Sequence, residues 1–387
     1  MREYELEVLD QYHMEVISTR KIRGAFFIDT NEGTMLLRET DISDRRAPLL
    51  YLLLTHLEAE GYAHVDTPVF TKEGKLIATS REGRRYILKK WYGGRECDVR
   101  RESDVLEAVA NLAGLHEKLR WQPQCEIAGE AGMQSMRENV EGCGAEPQSM
   151  RENAEGRGAE PQSMCENEEG RGAKPRLAAD GEVHPPTGRH LLEEFLCHNR
   201  ELKKIRGFVR KKSSKDSFDY LFLAHFDRMF SVAEQVTDQL KQSGYDELYL
   251  ASVTGNCLVH GDYNYHNVLM LPAAEVATTN FEHFCLDVQV QDLCYFLRKV
   301  MEKHQWNEGL GDAMLGTYGK IRPLKREELE YMALKLAYPE KFWKTMNSYY
   351  HSNKVWVPEK NVEKLMLSVT QTDEKIRFLE KIFSFHL

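Results

Sequence analysis

The chain has 387 residues, 42% of them hydrophobic, which is enough to bury a substantial core in two or three compact units. Its formal net charge of -9 argues against nonspecific binding to nucleic acid, and no basic block long enough to dock on an anionic membrane is present. No apolar run approaches the length of a membrane span, and the acidic start is unlike a signal peptide. We therefore expect synthesis in a cytoplasm and neither a nucleic-acid nor a membrane partner.

Three strands are predicted at the N-terminus, over Met14–Thr19, Gly24–Thr30 and Thr34–Glu39. The turn between the first two is cationic and contains a single glycine, and these cations either contact a ligand or are simply solvated. A polar turn that contains Gly33 joins the second strand to the third.

A helix is predicted from Asp44 to Gly61, because leucines recur along one face of that segment. Three further strands, over His64–Thr71, Leu76–Ser80 and Arg84–Gly94, complete an antiparallel set. The pattern predicts a small β-rich lobe with its hinge over residues 1–95, followed by a linker helix within 96–133.

Three nearly identical units of fourteen residues fill the segment from Gln134 to Pro175. They are rich in Gly, Glu, Arg and Pro and contain few apolar residues, so stacked units would bury little surface. We predict a disordered insertion over residues 134–188.

Two long helices, His190–Lys212 and Phe218–Leu240, begin a helical C-terminal lobe over residues 189–387. The first carries a basic face that is either a solvated helix side or a docking surface for an acidic partner. A further helix is predicted from Leu293 to Met301.

The most informative stretch is His260–Asn267, which lies between the apolar pair Leu258–Val259 and the apolar triplet Val268–Met270. A loop between two short strands would aim Asp262 and Asn267 into one cavity. The Asp262 carboxylate can accept the proton of an attacking hydroxyl, and the Asn267 amide oxygen can hold magnesium against nucleotide phosphates. The alternative is a surface turn rich in Asp and Asn that performs no chemistry.

This loop resembles the catalytic loop of the aminoglycoside and choline phosphotransferase branch of the kinase fold, which reads His-Gly-Asp-x-x-x-x-Asn. Every position of that pattern matches, from His260 to Asn267. The aromatic C-terminal segments narrow the resemblance to the spore-coat S family of endospore-forming bacteria. The resemblance implies an α+β, two-lobed, protein-kinase-like fold and catalytic roles for Asp262 and His260.

Family spacing identifies the metal site and the anchor of the loop. In the family a metal-binding Asp lies thirteen residues after the loop Asn, and a structural Asp lies twelve further on. Here these positions are Asn280 and Asp292, so the register holds while the metal-binding acid is replaced. The metal ligands implied are Asn267 and Asn280, with Glu282 as a possible source of the lost carboxylate.

The resemblance also assigns nucleotide contacts in the small lobe. Arg38 stands where the family has a strand Lys that contacts the phosphates, and Trp91 and Tyr92 stand at the hinge beside the purine. Core packing is the alternative for the two aromatic residues. No acid lies in the middle of the Asp44–Gly61 helix, so the ion pair between strand and helix is absent or differently built.

These departures from the family pattern predict a kinase-fold, spore-coat-associated protein that is a degenerate phosphotransferase with weak or no turnover. The alternative is an active magnesium-dependent ATP phosphotransferase that acts on a hydroxyl of a small molecule or coat component. Cofactors implied are ATP and magnesium. Partners implied are spore coat proteins, a nucleotide and a hydroxyl-bearing small molecule, with a location in the spore coat.

Overall fold

A computed structural model describes residues 4–22, 24–122, 184–351 and 359–387. The predicted disordered insertion covers residues 134–188, and its residues 134–183, with the three tandem units, lie outside these described residues. Its last residues, 184–188, are described, and there the prediction is corrected, because Thr187 bridges Leu286 and Gly188 N–H donates to Leu286 O. Most of the described residues belong to two compact units. The first reaches Gly93, and the second is formed by Gly94–Trp121 and Pro185–Leu387.

The first unit contains a five-stranded antiparallel sheet in the order β1-β2-β3-β5-β4. Its strands are β1 (Val16–Ile22), β2 (Ala25–Thr30), β3 (Gly33–Glu39), β4 (Ile77–Thr79) and β5 (Arg85–Lys90). Side chains alternate between the two faces of a sheet, and alternate apolar residues of β2, β3, β4 and β5 bury one face against the short 3-10 helix Tyr4–Gln11, while β1 is exposed. Helix α1 (Arg46–Ala59) buries the leucines that predicted it.

The predicted strand His64–Thr71 is wrong, because this segment forms only single-residue bridges, at Val65 and between Pro68 and Lys89. Proline has no N–H to donate to a ladder, so it interrupts regular pairing. The segment still runs beside β5 through hydrogen bonds from Val69 N to Leu88 O and from Lys90 N to Thr67 O.

The second unit is mainly helical. Its helices are α2 (Glu102–Lys118), α3 (Leu191–Lys211), α4 (Ser217–Gln242), α5 (Tyr245–Thr254), α6 (Val290–Met301), α7 (Glu308–Ile321), α8 (Arg326–Ala337), α9 (Glu340–Tyr350) and α10 (Glu359–Phe383). Apolar residues of α3, α4, α9 and α10 form one of its cores, in which phenylalanines from α4 and α9 pack together. The helix predicted as a linker, α2, lies within this unit and packs against α7.

Short strands hold the polar loop in the second unit. They are β6 (Arg95–Glu96), β7 (Leu258–Val259), β8 (Val268–Met270), β9 (Val276–Thr278) and β10 (Cys285–Leu286). The loop runs from β7 to β8, but these two strands belong to different sheets, since β7 pairs with β10 while β8 lies between β6 and β9. Both ends of the loop are therefore tied to hydrogen-bonded strands.

None of the helices in the described part of the chain has both the length and the apolar character needed to cross a membrane.

Candidate active site

The loop turns sharply at Gly261, which has a φ of +81°. A Cβ at this position would collide with the backbone of His283, so both the conformation and the space require glycine. This turn places Asp262 directly after the buried His260.

Asp292, in the first turn of α6, accepts hydrogen bonds from the loop backbone. Its two carboxylate oxygens accept the N–H of His260 at 2.6 Å and the N–H of Gly261 at 3.0 Å. The His116 ring of α2 lies 3.3 Å from the same carboxylate, which is 1% exposed. These are the contacts expected of the loop anchor that the resemblance implies.

The His260 ring is buried and faces only backbone groups at hydrogen-bonding distance. Its Nε2 lies 2.9 Å from the carbonyl oxygen of Thr279, and its Nδ1 accepts the N–H of Asp262 at 3.1 Å. Since a carbonyl only accepts, Nε2 carries the proton and the ring is neutral. His260 thus holds the loop backbone through both ring nitrogens, and the catalytic role expected for it stays a prediction.

The carboxylate of Asp262 is half-buried and surrounded by donors. Asn264 Nδ2 donates to one carboxylate oxygen at 2.9 Å, and Asn267 Nδ2 donates to the other at 3.0 Å. The pKa of Tyr295 is raised to about 12, mainly by burial and also by the charge of Asp262 and a hydrogen bond to its carboxylate. An acceptor hydroxyl would compete with these donors for Asp262.

Asn267 and Asn280 face each other across the loop. Asn267 Nδ2 donates to the carbonyl oxygen of Asp262 at 2.9 Å as well as to its carboxylate, and both partners can only accept. The Asn267 amide oxygen therefore points the other way, where Asn280 Nδ2 donates to it at 2.7 Å. Asn280 has left-handed backbone angles, which Asn and Asp tolerate better than most residues.

These residues do not fit a magnesium ion. The Asn267 oxygen that would bind the ion already accepts an N–H from Asn280, and both side chains are neutral amides where magnesium prefers carboxylates. Glu282, in the short helix Phe281–His283, is half-buried. Within the described ranges, no three His, Cys, Asp or Glu side chains gather closely enough to hold a metal.

The residues predicted to contact nucleotide lie in the first unit. Arg38 is on β3, opposite Ile87 of β5, and Trp91 packs edge-on against Phe27 at 5.5 Å between ring centroids. The hydroxyl of Tyr92 donates to backbone oxygens of the segment before β4, at 2.9 Å to Val65.

An ion pair in the first unit is built from β5 rather than from β3. Lys89 lies 3.1 Å from Asp66, and both side chains are fully buried. The next residue, Lys90, contacts Glu58 in the last turn of α1 at 2.8 Å. The middle of α1 contains no acid, so an ion pair between strand and helix had to be absent or built differently. The pair of Lys90 with Glu58 is built differently, since it uses β5 and the last turn of α1.

The sequence did not predict the part that three residues play around the loop, namely His116, Tyr318 and Tyr295. The hydroxyl of Tyr318 lies 2.7 Å from His116 Nδ1, so α7 supports the anchor through α2. Burial lowers the pKa of His116, against the opposing effect of Asp292. Only Tyr295 had a usable signal, since it follows Asp292 by three residues and therefore shares its helix face.

Two matches at the level of sequence connect the chain to spore coat proteins. Residues 200–382 match the family described as "Spore coat putative kinase YutH". The chain is also 26% identical over 190 residues to spore coat protein S of Bacillus subtilis (strain 168), in a region that covers 47% of this chain and 53% of that protein. The chain thus matches about half the length of this curated relative.

Solved structures show the fold. An aminoglycoside phosphotransferase from Alicyclobacillus acidocaldarius is similar with a TM-score of 0.72 at 15% identity, over 97% of this chain and 94% of that one. Spectinomycin phosphotransferase APH(9)-Ia, in complex with ADP and spectinomycin, is similar with a TM-score of 0.56 at 10% identity, over 97% of each chain. The predicted fold class, a β-rich N-terminal part and a helical C-terminal part of the aminoglycoside phosphotransferase type, is confirmed.

Proposed function

We propose that this chain, whose fold is kinase-like and whose sequence is similar to spore coat proteins, is a spore-coat-associated protein with a degenerate phosphotransferase site. Its turnover is weak or zero. Its partners would be coat proteins, because the chain is similar to spore coat protein S of Bacillus subtilis.

The observation that carries the proposal is the hydrogen bond between Asn280 Nδ2 and the Asn267 amide oxygen, at 2.7 Å. An amide N–H here occupies the oxygen on which metal-dependent phosphoryl transfer relies. Holding a magnesium ion against the phosphates would then need Glu282 as a ligand and movement of Asn280, and this requirement disfavours rapid transfer.

Nucleotide binding without efficient transfer is compatible with the first unit. Arg20 lies 5.7 Å from the centre of the Phe27 ring, and Phe27 packs against Trp91 in a T-shaped arrangement, so a cation and two aromatic rings lie together. Aromatic rings and a guanidinium suit a nucleobase and its phosphates. We assign ATP as the nucleotide, in line with the ADP in the spectinomycin phosphotransferase complex.

The retained acid Asp262 favours the second candidate, an active magnesium-dependent phosphotransferase acting on a hydroxyl. Asp262 is held by Asn264 and Asn267 in a loop anchored on Asp292. A positioned carboxylate is what such an enzyme needs to accept the hydroxyl proton.

The substitution Asn280→Asp separates the two candidates. Without metal it replaces an N–H···O bond by two facing oxygen acceptors, so the variant should lose about 1–3 kcal/mol of stability. With magnesium the new carboxylate should strengthen ATP binding about tenfold or more, because the ion prefers a charged oxygen ligand. Thermal unfolding with ATP, with and without magnesium, measures both effects.

Asn307→Asp is the matched control. Asn307 is exposed and caps α7 by accepting the N–H of Leu310 at 2.9 Å, a role that Asp fills equally well. It should therefore leave the magnesium dependence unchanged. Magnesium-dependent ATP stabilisation as large in the unaltered protein as in Asn280→Asp would overturn the proposal and support the active enzyme.

A further inference from the structure

Helix α6 presents a row of side chains to the Asp262 loop. Asp292 anchors the loop backbone, and Tyr295 follows it by three residues, near enough to Asp262 for that charge to raise the tyrosine pKa. Lys299 follows on the same helix face one turn later. Lys303, two residues past the end of the helix, continues the row to Tyr265 of the loop. These side chains all belong to the second unit.

Two tyrosines hold the two ammonium groups of this row. Lys299 Nζ lies 5.2 Å from the centre of the Tyr295 ring. Lys303 Nζ lies 4.0 Å from the centre of the Tyr265 ring and donates to its hydroxyl at 2.8 Å. Tyr265 is part of the loop, three residues after Asp262, so both lysines are positioned beside the candidate active site.

Neither lysine has an acidic partner at ion-pair distance among the described side chains. Glu302, next to Lys303 in the sequence, and Glu340 are already matched by other cations. Glu302 lies 3.3 Å from Arg298 and 3.4 Å from Lys341. Glu340 lies 2.5 Å from Lys344 and 3.8 Å from Arg298. Two positive charges therefore have no ion-pair partner among the described side chains and lie against Tyr295 and Tyr265, in a chain whose net charge is -9.

We propose that this row binds a small hydroxyl compound carrying a phosphate or carboxylate group, with the anion on Lys299 and Lys303 and the hydroxyl facing Asp262. This inference rests on the proposed function, because it names the ligand class of the same site. Unmatched ammonium groups attract an anion and repel a cation, so a cationic acceptor such as an amine is disfavoured.

The test is calorimetric titration of the full chain, without nucleotide or metal, using glycerol 3-phosphate, glycerate, glycerol and choline as probes. Glycerol 3-phosphate and glycerate should bind, with affinity that falls as salt rises, while neutral glycerol and cationic choline should not. Lys299→Gln and Lys303→Gln should each weaken anion binding about tenfold, as expected for loss of a hydrogen bond to a charged group.

Lys204→Gln supplies the matched control, because Lys204 is an exposed lysine of α3 that also has no acidic partner within the described ranges. It should bind the anions like the unaltered protein. Asp262→Asn should tighten anion binding several-fold, since it removes a nearby like charge.

Several results would overturn the inference. They are no binding of either anion, tighter binding of choline than of glycerol 3-phosphate, and equal losses in the variants at positions 204, 299 and 303. Because this titration contains neither ATP nor magnesium, its outcome is independent of the Asn280→Asp test of the proposed function.

Discussion

At the scale of single residues, the loop conformation depends on one carboxylate. Asp292 accepts from two successive backbone N–H groups and faces the His116 ring, while Tyr318 supports that ring from behind. A carboxylate has acceptor sites for all of these donors, whereas an amide presents N–H groups on one side. The charge is thus used to hold the backbone rather than to perform chemistry.

Asp292→Asn should therefore lower the free energy of unfolding by about 1.5–3 kcal/mol, because at least one buried donor loses its charged acceptor. Urea unfolding measures the loss, and hydrogen exchange at residues 260–262 should accelerate. Asp312→Asn, at an exposed position of α7, is the control and should change neither quantity. Unaltered exchange at the loop in Asp292→Asn would contradict the anchoring role.

At the scale of elements, α7 and α10 approach each other closely at Gly311. A Cβ on Gly311 would lie 2.6 Å from Phe378 Cζ, and Phe378 is fully buried. Helix α7 also carries Tyr318, so the spacing between these helices bears on the support of the anchor.

Gly311→Ala should destabilise the protein by about 1–3 kcal/mol, because the added methyl forces the helices apart or Phe378 out of its rotamer. Gly316→Ala in the same helix has no atom within 4 Å of its added Cβ and should stabilise by up to about 1 kcal/mol through helix propensity. Chemical denaturation of both variants gives the comparison. If both variants change the free energy of unfolding in the same direction, helix propensity and not the close approach of α10 determines the effect at Gly311.

At the scale of the whole molecule, buried titratable groups set the response to acid. Burial lowers the pKa of His198 from 6.5 to about 3, while its ring stacks on Trp343. The nearby Arg189 and two lysines act in the same direction, and Glu340 opposes them. Burial raises the pKa of Asp287 from 3.8 to about 6, which has the opposite consequence for stability.

Stability should fall as pH decreases from about 6.5 towards 3, because the unfolded state binds a proton at His198 that the folded state refuses. The contribution of this residue is about 1.4 kcal/mol per pH unit within that window. His116 acts in the same direction, and Asp287 offsets part of the loss between pH 6 and 3.8, where its folded form binds the proton more tightly.

His198→Phe keeps a ring beside Trp343 and removes the titration, so its unfolding free energy should depend less steeply on pH below 6.5. Denaturant unfolding across this range checks the slope. A variant that follows the acid dependence of the unaltered protein would mean that other groups, such as His116, carry it.

The sequence, through its resemblance to a known family, was sufficient for the kinase-like fold and for the loop around Asp262. Its apolar periodicity was sufficient for most strands of the first unit and for helices α1, α2, α3, α4 and α6. Apolar periodicity and the spacing of Asp262, Asn267 and Asp292 are properties of the chain itself. They can therefore be read without knowing which segments pack together. The segment His64–Thr71 failed because its apolar pattern resembles a strand while Pro68 removes a donor from the ladder.

The tertiary structure decided how the side chains of the site are used. Asn280 was placed by spacing, but only folding brought its amide onto the Asn267 oxygen. The contact of His116 with Asp292 joins residues 176 positions apart, and that of Lys303 with Tyr265 joins residues 38 apart. Such pairs depend on which helices pack together, and periodicity along one segment contains no information about the partner that another segment supplies.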